Sequence, residues 1–266
     1  MSTFEHKPRT SLQVTFSVLK ALFIRDALQR TMAERFSWFW ILVEPISHII
    51  VFVGIRGIMG GSGLIAGAEF IPWLVVGLMT FFVFREGFLK SIGAINSNKA
   101  LYSYRQVKPV DTVIARALVE GLLKSLIFVL LIIGFELLGA NLLPADPLSV
   151  IFLWLLAWML GLAAGLFFSV ANALVLEVGI VVNVMTLPLY FLSGVMIPLN
   201  FLPHNLLQYL MYNPLVHLIE LMRLAFFENY RPINNLDLMY VMWWVLITMA
   251  LGLAMHLRFE YRVKAA

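Results

Sequence analysis

The 266-residue sequence contains no cysteine, which excludes a disulfide framework, a thiolate metal site and a cysteine nucleophile. Charge is scarce: 13% of residues are Asp, Glu, Lys or Arg, against about 25% in soluble domains, while hydrophobic residues reach 61%. So little polar surface cannot cover a water-soluble globule, and most of the chain must have lipid as its solvent. No GxxxxGKS/T run occurs; Lys90 and Lys124 precede serines, but Leu89 and Leu123 stand where the glycine must be. The chain therefore lacks a phosphate loop of its own for ATP. HExxH and GxSxG are also missing, as are clusters of histidine and carboxylate at metal spacing, so neither a metal nor a catalytic residue is expected. There is no internal repeat of the kind that pairs the halves of many secondary transporters.

Long apolar runs dominate what remains. A spanning helix needs roughly 20 mostly apolar residues to cross ~30 Å of hydrocarbon. Six stretches qualify: Ser37 to Gly60, Phe70 to Ile95, Thr112 to Gly139, Leu148 to Leu176, Val178 to Ile197 and Leu238 to Leu257. None alternates as a membrane strand would. The expected architecture is an all-α integral membrane protein, with a six-helix domain over residues 37–257, a leading segment 1–36 and a tail 258–266. With the N-terminus in the cytoplasm, sixteen of the nineteen Lys and Arg residues fall in inside segments or adjacent helix ends. Only Arg223 and Arg231 lie outside, with Arg56 near the outer end of the first span, so the positive-inside rule places both termini in the cytoplasm. The net charge of +4 thus reports orientation, and nucleic acid is not an expected partner.

The leading segment carries an apolar stripe, Leu12, Phe16, Leu19 and Phe23, at helical spacing beside Lys20 and Arg25. This predicts an amphipathic helix on the membrane surface or against a partner, a solvated basic leader being the alternative. Asp26 with Arg30, and Arg30 with Glu34, are spaced for i, i+4 ion pairs. Between the second and third spans, residues 96–111 predict a short cytoplasmic helix with Asn96, Ser97 and Asn98 as caps, a stop at Pro109 and a new cap at Asp111. On the outer side, residues 199–237 are punctuated by Pro203, Pro214 and Pro232. The apolar stretch Leu215 to Phe227 is too short to cross and predicts re-entrant outer helices that line an exit.

Ionisable residues inside spans mark either a buried pair or a pathway. Glu44 and His48 share a face with Trp40 beside the kinking Pro45, forming either a structural polar cluster or a gate at the inner mouth. Glu120 and Lys124 stand in the favourable i, i+4 order and are expected to form a structural pair. Arg85 and Glu86 belong to the cytoplasmic third of the second span. Arg56 admits two readings, snorkelling to the outer boundary or facing a pore that attracts anions. Aromatic rings such as Phe84, Tyr190 and Phe191 either pack in lipid or present flat faces to sugars.

Four passages, taken together, resemble one family. WILVEPISH (Trp40 to His48), YRQVKPVDTVIARA (Tyr104 to Ala117), PLYFLSGVMIPL (Pro188 to Leu199) and NPLVHLIELMR (Asn213 to Arg223) occur in order on the six-span frame. They are similar to the membrane subunit of bacterial capsular polysaccharide exporters, the KpsM-type permeases of the ATP-binding-cassette superfamily. The resemblance implies a homodimer in the inner membrane with two separate ATPase subunits, which bind the ATP and Mg that this chain does not. It also implies a lipid-linked polysaccharide cargo, a periplasmic co-polymerase or adaptor, and an outer-membrane channel. By the same resemblance, Leu12, Phe16, Leu19 and Phe23, with Asn98, Leu101, Tyr102, Tyr104, Arg105 and Lys108, contact the ATPase. The residues expected to line or gate the path are Trp40, Glu44, His48, Arg56, Phe84, Tyr190 and Phe191, from the reading of the residues above, and His217, Glu220 and Arg223, which the resemblance implies in outer gate helices, with Glu220 and Arg223 spaced to pair at i, i+3. The alternatives are a permease for lipid, teichoic acid, O-antigen or drug in the same superfamily, and a membrane-embedded transferase.

Overall fold

The computed structural model describes residues 10–32, 37–58 and 63–265, so Glu34, and with it the Arg30–Glu34 pair, and Gly60 lie outside the described residues. The described chain is helical, without a strand: α1 (Ser11–Met32), α2 (Ser37–Ile58), α3 (Phe70–Ile92), α4 (Ala94–Ser97), α5 (Pro109–Leu137), α6 (Pro147–Leu174), α7 (Glu177–Leu192), α8 (His204–Leu210), α9 (Pro214–Phe226) and α10 (Leu238–Ala265). Short 3-10 turns at Lys99–Ser103 and Leu199–Phe201 complete it.

Helix starts follow local chemistry. Pro109, Pro147 and Pro214 each open a helix, where the missing N–H costs nothing and the fixed φ suits the first turn. Asp146 accepts from Ser149 N at 3.2 Å and Asn213 from Leu215 N at 3.0 Å, each satisfying an otherwise orphaned amide. Asp111 lies inside α5, not at its cap as expected, because Pro109 starts the helix earlier; its carboxylate instead reaches back to Lys108 N at 3.0 Å.

Among the described residues, five helices are long and apolar enough to cross a membrane: α2, α3, α5, α6 and α10. The expected fifth span of the sequence corresponds to α7, which is 16 residues long and therefore about 24 Å at 1.5 Å per residue, short of the ~30 Å hydrocarbon layer. The apolar run continues past it, but the backbone turns at Gly194, whose φ of +70° is open to glycine and not to the residues around it. α10 runs unbroken through Leu257, so no structural break separates the tail from the last span.

α3 is the central helix, packed by α5, α6 and α9, with Trp73 to Val76 and Leu78 to Val83 wholly enclosed. α2 and α10 are peripheral, and apolar side chains such as Ile50, Ile55, Trp243 and Ile247 remain exposed on them. The α3–α6 crossing rests on Gly161 and Gly165, a small-xxx-small spacing that lets backbones approach. A Cβ on Gly161 would lie 2.5 Å from the Phe84 carbonyl oxygen, an atom that cannot move aside. Gly161→Ala is expected to lower the melting temperature in detergent by a destabilisation of about 1–3 kcal/mol. Gly134→Ala, where no atom lies within 4 Å, should leave it unchanged.

Candidate functional site

A cleft of ≈ 810 Å³ opens in the half of the bundle nearest α1, between α1, α2, α3 and α7. Trp40, Glu44 and His48 enter from α2, Phe81, Arg85, Glu86 and Lys90 from α3, Asn183, Thr186 and Tyr190 from α7, and Arg30 from α1. His48 uses Nδ1 on the Glu44 carbonyl oxygen at 2.8 Å, so the i, i+4 relation between them is made through backbone and not between side chains. The His48 ring meets Phe82 and Tyr190 edge-on, at centroid distances of 5.2 and 6.2 Å, and Tyr190 packs on Phe81 at 4.9 Å.

Behind the cleft, ion pairs run across helices. Arg85 binds both Glu44 and Glu86, and lies over the Phe82 ring at 4.4 Å. Lys124 of α5, almost fully buried, donates to Glu44 at 2.8 Å. Glu120, equally buried, faces Arg30 at 3.0 Å in a Coulombic contact outside hydrogen-bond geometry. The expected Glu120–Lys124 pair is thus not made as an ion pair; each residue is claimed by a different helix. The expected Asp26–Arg30 pair is not made either, because Asp26 is enclosed between Arg25 at 2.6 Å and Arg116 of α5 at 3.2 Å. Each buried carboxylate is neutralised where it stands, which is what removal from water demands.

This network docks α1 on the bundle by a face other than the predicted stripe. Leu22 and Asp26 are buried, Leu19 and Phe23 are half-buried, and Leu12 and Phe16 stay exposed. Arg25 also donates to Asn98 Oδ1 at 2.6 Å, tying α1 to the 94–108 segment. Asn98 and Tyr102 are internal to that segment: Asn98 Nδ2 donates to Ala94 O at 2.7 Å, and the Tyr102 hydroxyl sits 3.0 Å from Thr112 Oγ1. Burial pushes the Tyr102 hydroxyl up to about 12, so it stays a neutral donor. Leu101 is half-buried, whereas Tyr104 is 66% exposed and Arg105 and Lys108 are exposed beside it.

At the opposite end, Arg223 is wholly enclosed, with no exposed surface. Its guanidinium donates to Glu220 at 2.8 Å, Gly194 O at 2.9 Å and Val195 O at 3.0 Å, and lies 3.6 Å from the Trp73 ring centroid. Tyr230, also held neutral by burial that pushes it up to about 12, is 3.0 Å from Glu220 and accepts from Trp73 Nε1 at 3.2 Å. Gly77 provides the space, since a Cβ there would sit 2.3 Å from Arg223 Nη2. Glu220 and Arg223 do pair as spaced, but as a strut joining α3, α9 and the turn at Gly194 and Val195 that follows α7. Such an arginine, enclosed and already paired, does not present a cation at the surface of the bundle. His217 is a clasp of the same region: Nε2 meets Met211 O at 2.8 Å while Nδ1 accepts from Asp237 N at 3.0 Å.

Of the ten path residues expected from sequence, Trp40, Glu44, His48 and Tyr190 converge on the cleft. Phe84 is buried behind it against Phe88, Phe191 is exposed away from it, and Arg56 stacks on Phe70 at 4.4 Å near the far end of α2. Sequence reasoning missed Lys90 and Arg30 as cleft residues, and Arg85 as the residue bridging two carboxylates. No group of three or more His, Asp or Glu among the described residues is placed to hold a metal ion.

The sequence has counterparts among known proteins. Polysialic acid transport protein KpsM of Escherichia coli is 34% identical over 248 residues, spanning 93% of this chain and 95% of that protein. Capsule polysaccharide export inner-membrane protein CtrC of Neisseria meningitidis serogroup A is 26% identical over 96% of this chain and 95% of its own length. Capsule polysaccharide export inner-membrane protein BexB of Haemophilus influenzae is 22% identical over 83% of each chain. The ABC-2 type transporter family model matches residues 17–227, taking in the docked part of α1, the cleft and the buried α9 strut alike. The chain is a multi-pass membrane protein that belongs to the ABC-2 type transporter family.

Proposed function

We propose that this chain is the permease subunit of an ATP-driven exporter that carries a lipid-linked capsular polysaccharide across the bacterial inner membrane. The observation that carries this reading is the near full-length similarity to KpsM, at 34% identity over 93% of the chain. In this reading the chain is not an enzyme; two ATP-binding-cassette subunits bind ATP and Mg and dock on the cytoplasmic side. The lack of a phosphate loop in the sequence is in keeping with such a division of labour.

The working unit is a homodimer whose second copy covers part of the exposed apolar surface of α2 and α7. α7, with the 193–198 segment that follows it, serves as the fifth of six spans, and both termini are cytoplasmic. α8 and α9 form the re-entrant outer pair, and the cargo passes on to a periplasmic adaptor and an outer-membrane channel. The cleft at Glu44 and His48 opens toward the cytoplasmic side of the path. Its aromatic wall suits sugar faces, which slide over flat rings with weakly directional contact.

The exposed tip of the 94–108 segment is the contact with the ATPase, and α1 moves with it through the Arg25–Asn98 hydrogen bond. Replacing Tyr104, Arg105 and Lys108 together by alanine is expected to leave the purified complex hydrolysing ATP while polymer export falls at least tenfold. Cell-surface polymer measured beside ATP turnover checks this, and full export with all three alanines would overturn the coupling assignment. Deletion of the gene should trap polymer inside cells; free passage of polymer without the chain would overturn the function itself.

A further inference from the structure

α10 keeps two distinct faces along its length. Val241, Val245, Gly252, His256 and Val263 are buried on one side. Trp243, Ile247, Leu251 and Ala254 are exposed on the other, at the spacing of a single helical stripe. Arg258, Tyr261 and Arg262 extend that stripe without a change of face. From Trp243 to Tyr261 the helix rises about 27 Å at 1.5 Å per residue, close to the ~30 Å of hydrocarbon in a bilayer. An aromatic ring thus marks each boundary of the membrane, and the two arginines stand at headgroup level on the face that meets lipid.

Both arginines are exposed, and neither enters an ion pair among the described residues. Glu260, the carboxylate of the same turn, is taken by Lys264 at 2.6 Å. Arg258 and Arg262 are one turn apart, and each guanidinium carbon lies 5.9 Å from the centroid of the Phe259 ring between them in sequence. Phe259 in turn packs on the cluster of Ala94, Ile95, Tyr102 and Val263, so the ring beside the two cations is itself anchored. Leu257, 79% exposed, adds apolar surface next to them. Two guanidiniums a turn apart, with apolar side chains on the membrane side, match one phosphodiester carried by acyl chains.

We propose that Arg258 and Arg262 bind the headgroup of an anionic phospholipid of the bilayer, with Leu257 and Tyr261 against its glycerol and acyl chains. This lipid is a resident of the membrane and not cargo. Its place in the inner leaflet rests on the orientation proposed above; the site itself does not. Val263, on the opposite side of the same turn, is buried against the 94–108 segment, so a headgroup held by the arginines braces the helix end on which that segment packs.

The test is native mass spectrometry of the full chain, released from detergent with phosphatidylglycerol or, at equal concentration, phosphatidylcholine. Phosphatidylglycerol should be retained about fivefold or more over phosphatidylcholine. Arg258→Gln with Arg262→Gln should abolish that preference, and Arg258→Lys with Arg262→Lys, which keeps the charge, should retain part of it. Both positions are exposed, and an unaltered melting temperature shows that the variants are folded. Arg105→Gln, which removes an exposed charge elsewhere, should leave the preference intact; an equal loss there would mean that general positive charge attracts the lipid, and overturns the site. Equal retention of the two lipids, or a preference that survives the double glutamine variant, also overturns it. Displacement of the lipid by glycerol phosphate would make the ligand a free phosphate and overturn the lipid assignment. If the double glutamine variant keeps phosphatidylglycerol but no longer copurifies with an ATPase subunit, the face is a protein contact and the proposal fails. No step of this assay involves transport, so loss of lipid preference leaves the exporter reading standing, and free passage of polymer without the chain leaves the lipid site standing.

Discussion

Arg223→Leu is expected to cost about 3–5 kcal/mol, because it leaves the Glu220 carboxylate buried and unpaired. That is a large share of the ~5–15 kcal/mol that holds a typical domain folded. The variant should aggregate in detergent or melt far below the parent in a thermal-unfolding assay with gel filtration. Arg223→Lys should not rescue it, since an ammonium cannot reach Glu220, two carbonyls and the Trp73 face at once as the planar guanidinium does. Removing both charges, with Arg223→Leu and Glu220→Leu together, should recover part of the loss, because no orphaned charge remains. A fully stable Arg223→Leu protein would contradict the strut.

The second large effect is expected at Glu120, which is 1% exposed and faces Arg30 across the α1–α5 contact. Arg30→Leu should release α1 from the bundle, seen as hydrogen exchange of α1 amides faster by on the order of a hundredfold. Exchange in α6 should not change. Reversing both charges, Arg30→Glu with Glu120→Arg, should restore much of the protection, whereas either reversal alone places like charges together and should be worse than neutral replacement. Unchanged exchange in Arg30→Leu would mean that Leu22, Asp26 and the Arg25–Asn98 hydrogen bond hold α1 without Arg30.

Much of the frame was legible because a run of twenty apolar residues has few other uses in a chain this poor in charge. Five of the six expected spans correspond to helices long enough to cross. The fifth corresponds to a helix shorter than its apolar run for a local reason: hydropathy does not register a turn at Gly194 when Val195, Met196 and Ile197 continue the run. The second span ends within three residues of its expected end, since α3 stops at Ile92 and Gly93 separates it from α4.

The site was legible only where function follows one helix face. Trp40, Glu44 and His48 share such a face and do line the cleft. Glu120 and Lys124 share one too, yet their partners belong to other helices; Glu44 lies 80 positions before Lys124. Helical periodicity reports neighbours on one cylinder and is silent about which cylinder lies beside it. The α9 pair shows the converse. Its i, i+3 spacing was visible, but its role changed once Gly77 and Trp73 were found closing around it, 150 positions away in the case of Trp73.

The central position of α3 bears on how the polypeptide is made. α3 is the least apolar of the five long helices, and the one most fully covered by its neighbours. Those neighbours, α5, α6 and α9, all emerge from the ribosome after it. A nascent chain that has not yet reached Arg223 holds α3 with its Gly77 notch vacant. Packing of this helix is therefore incomplete until α9 has been synthesised, and products truncated before it should be substrates for membrane proteolysis.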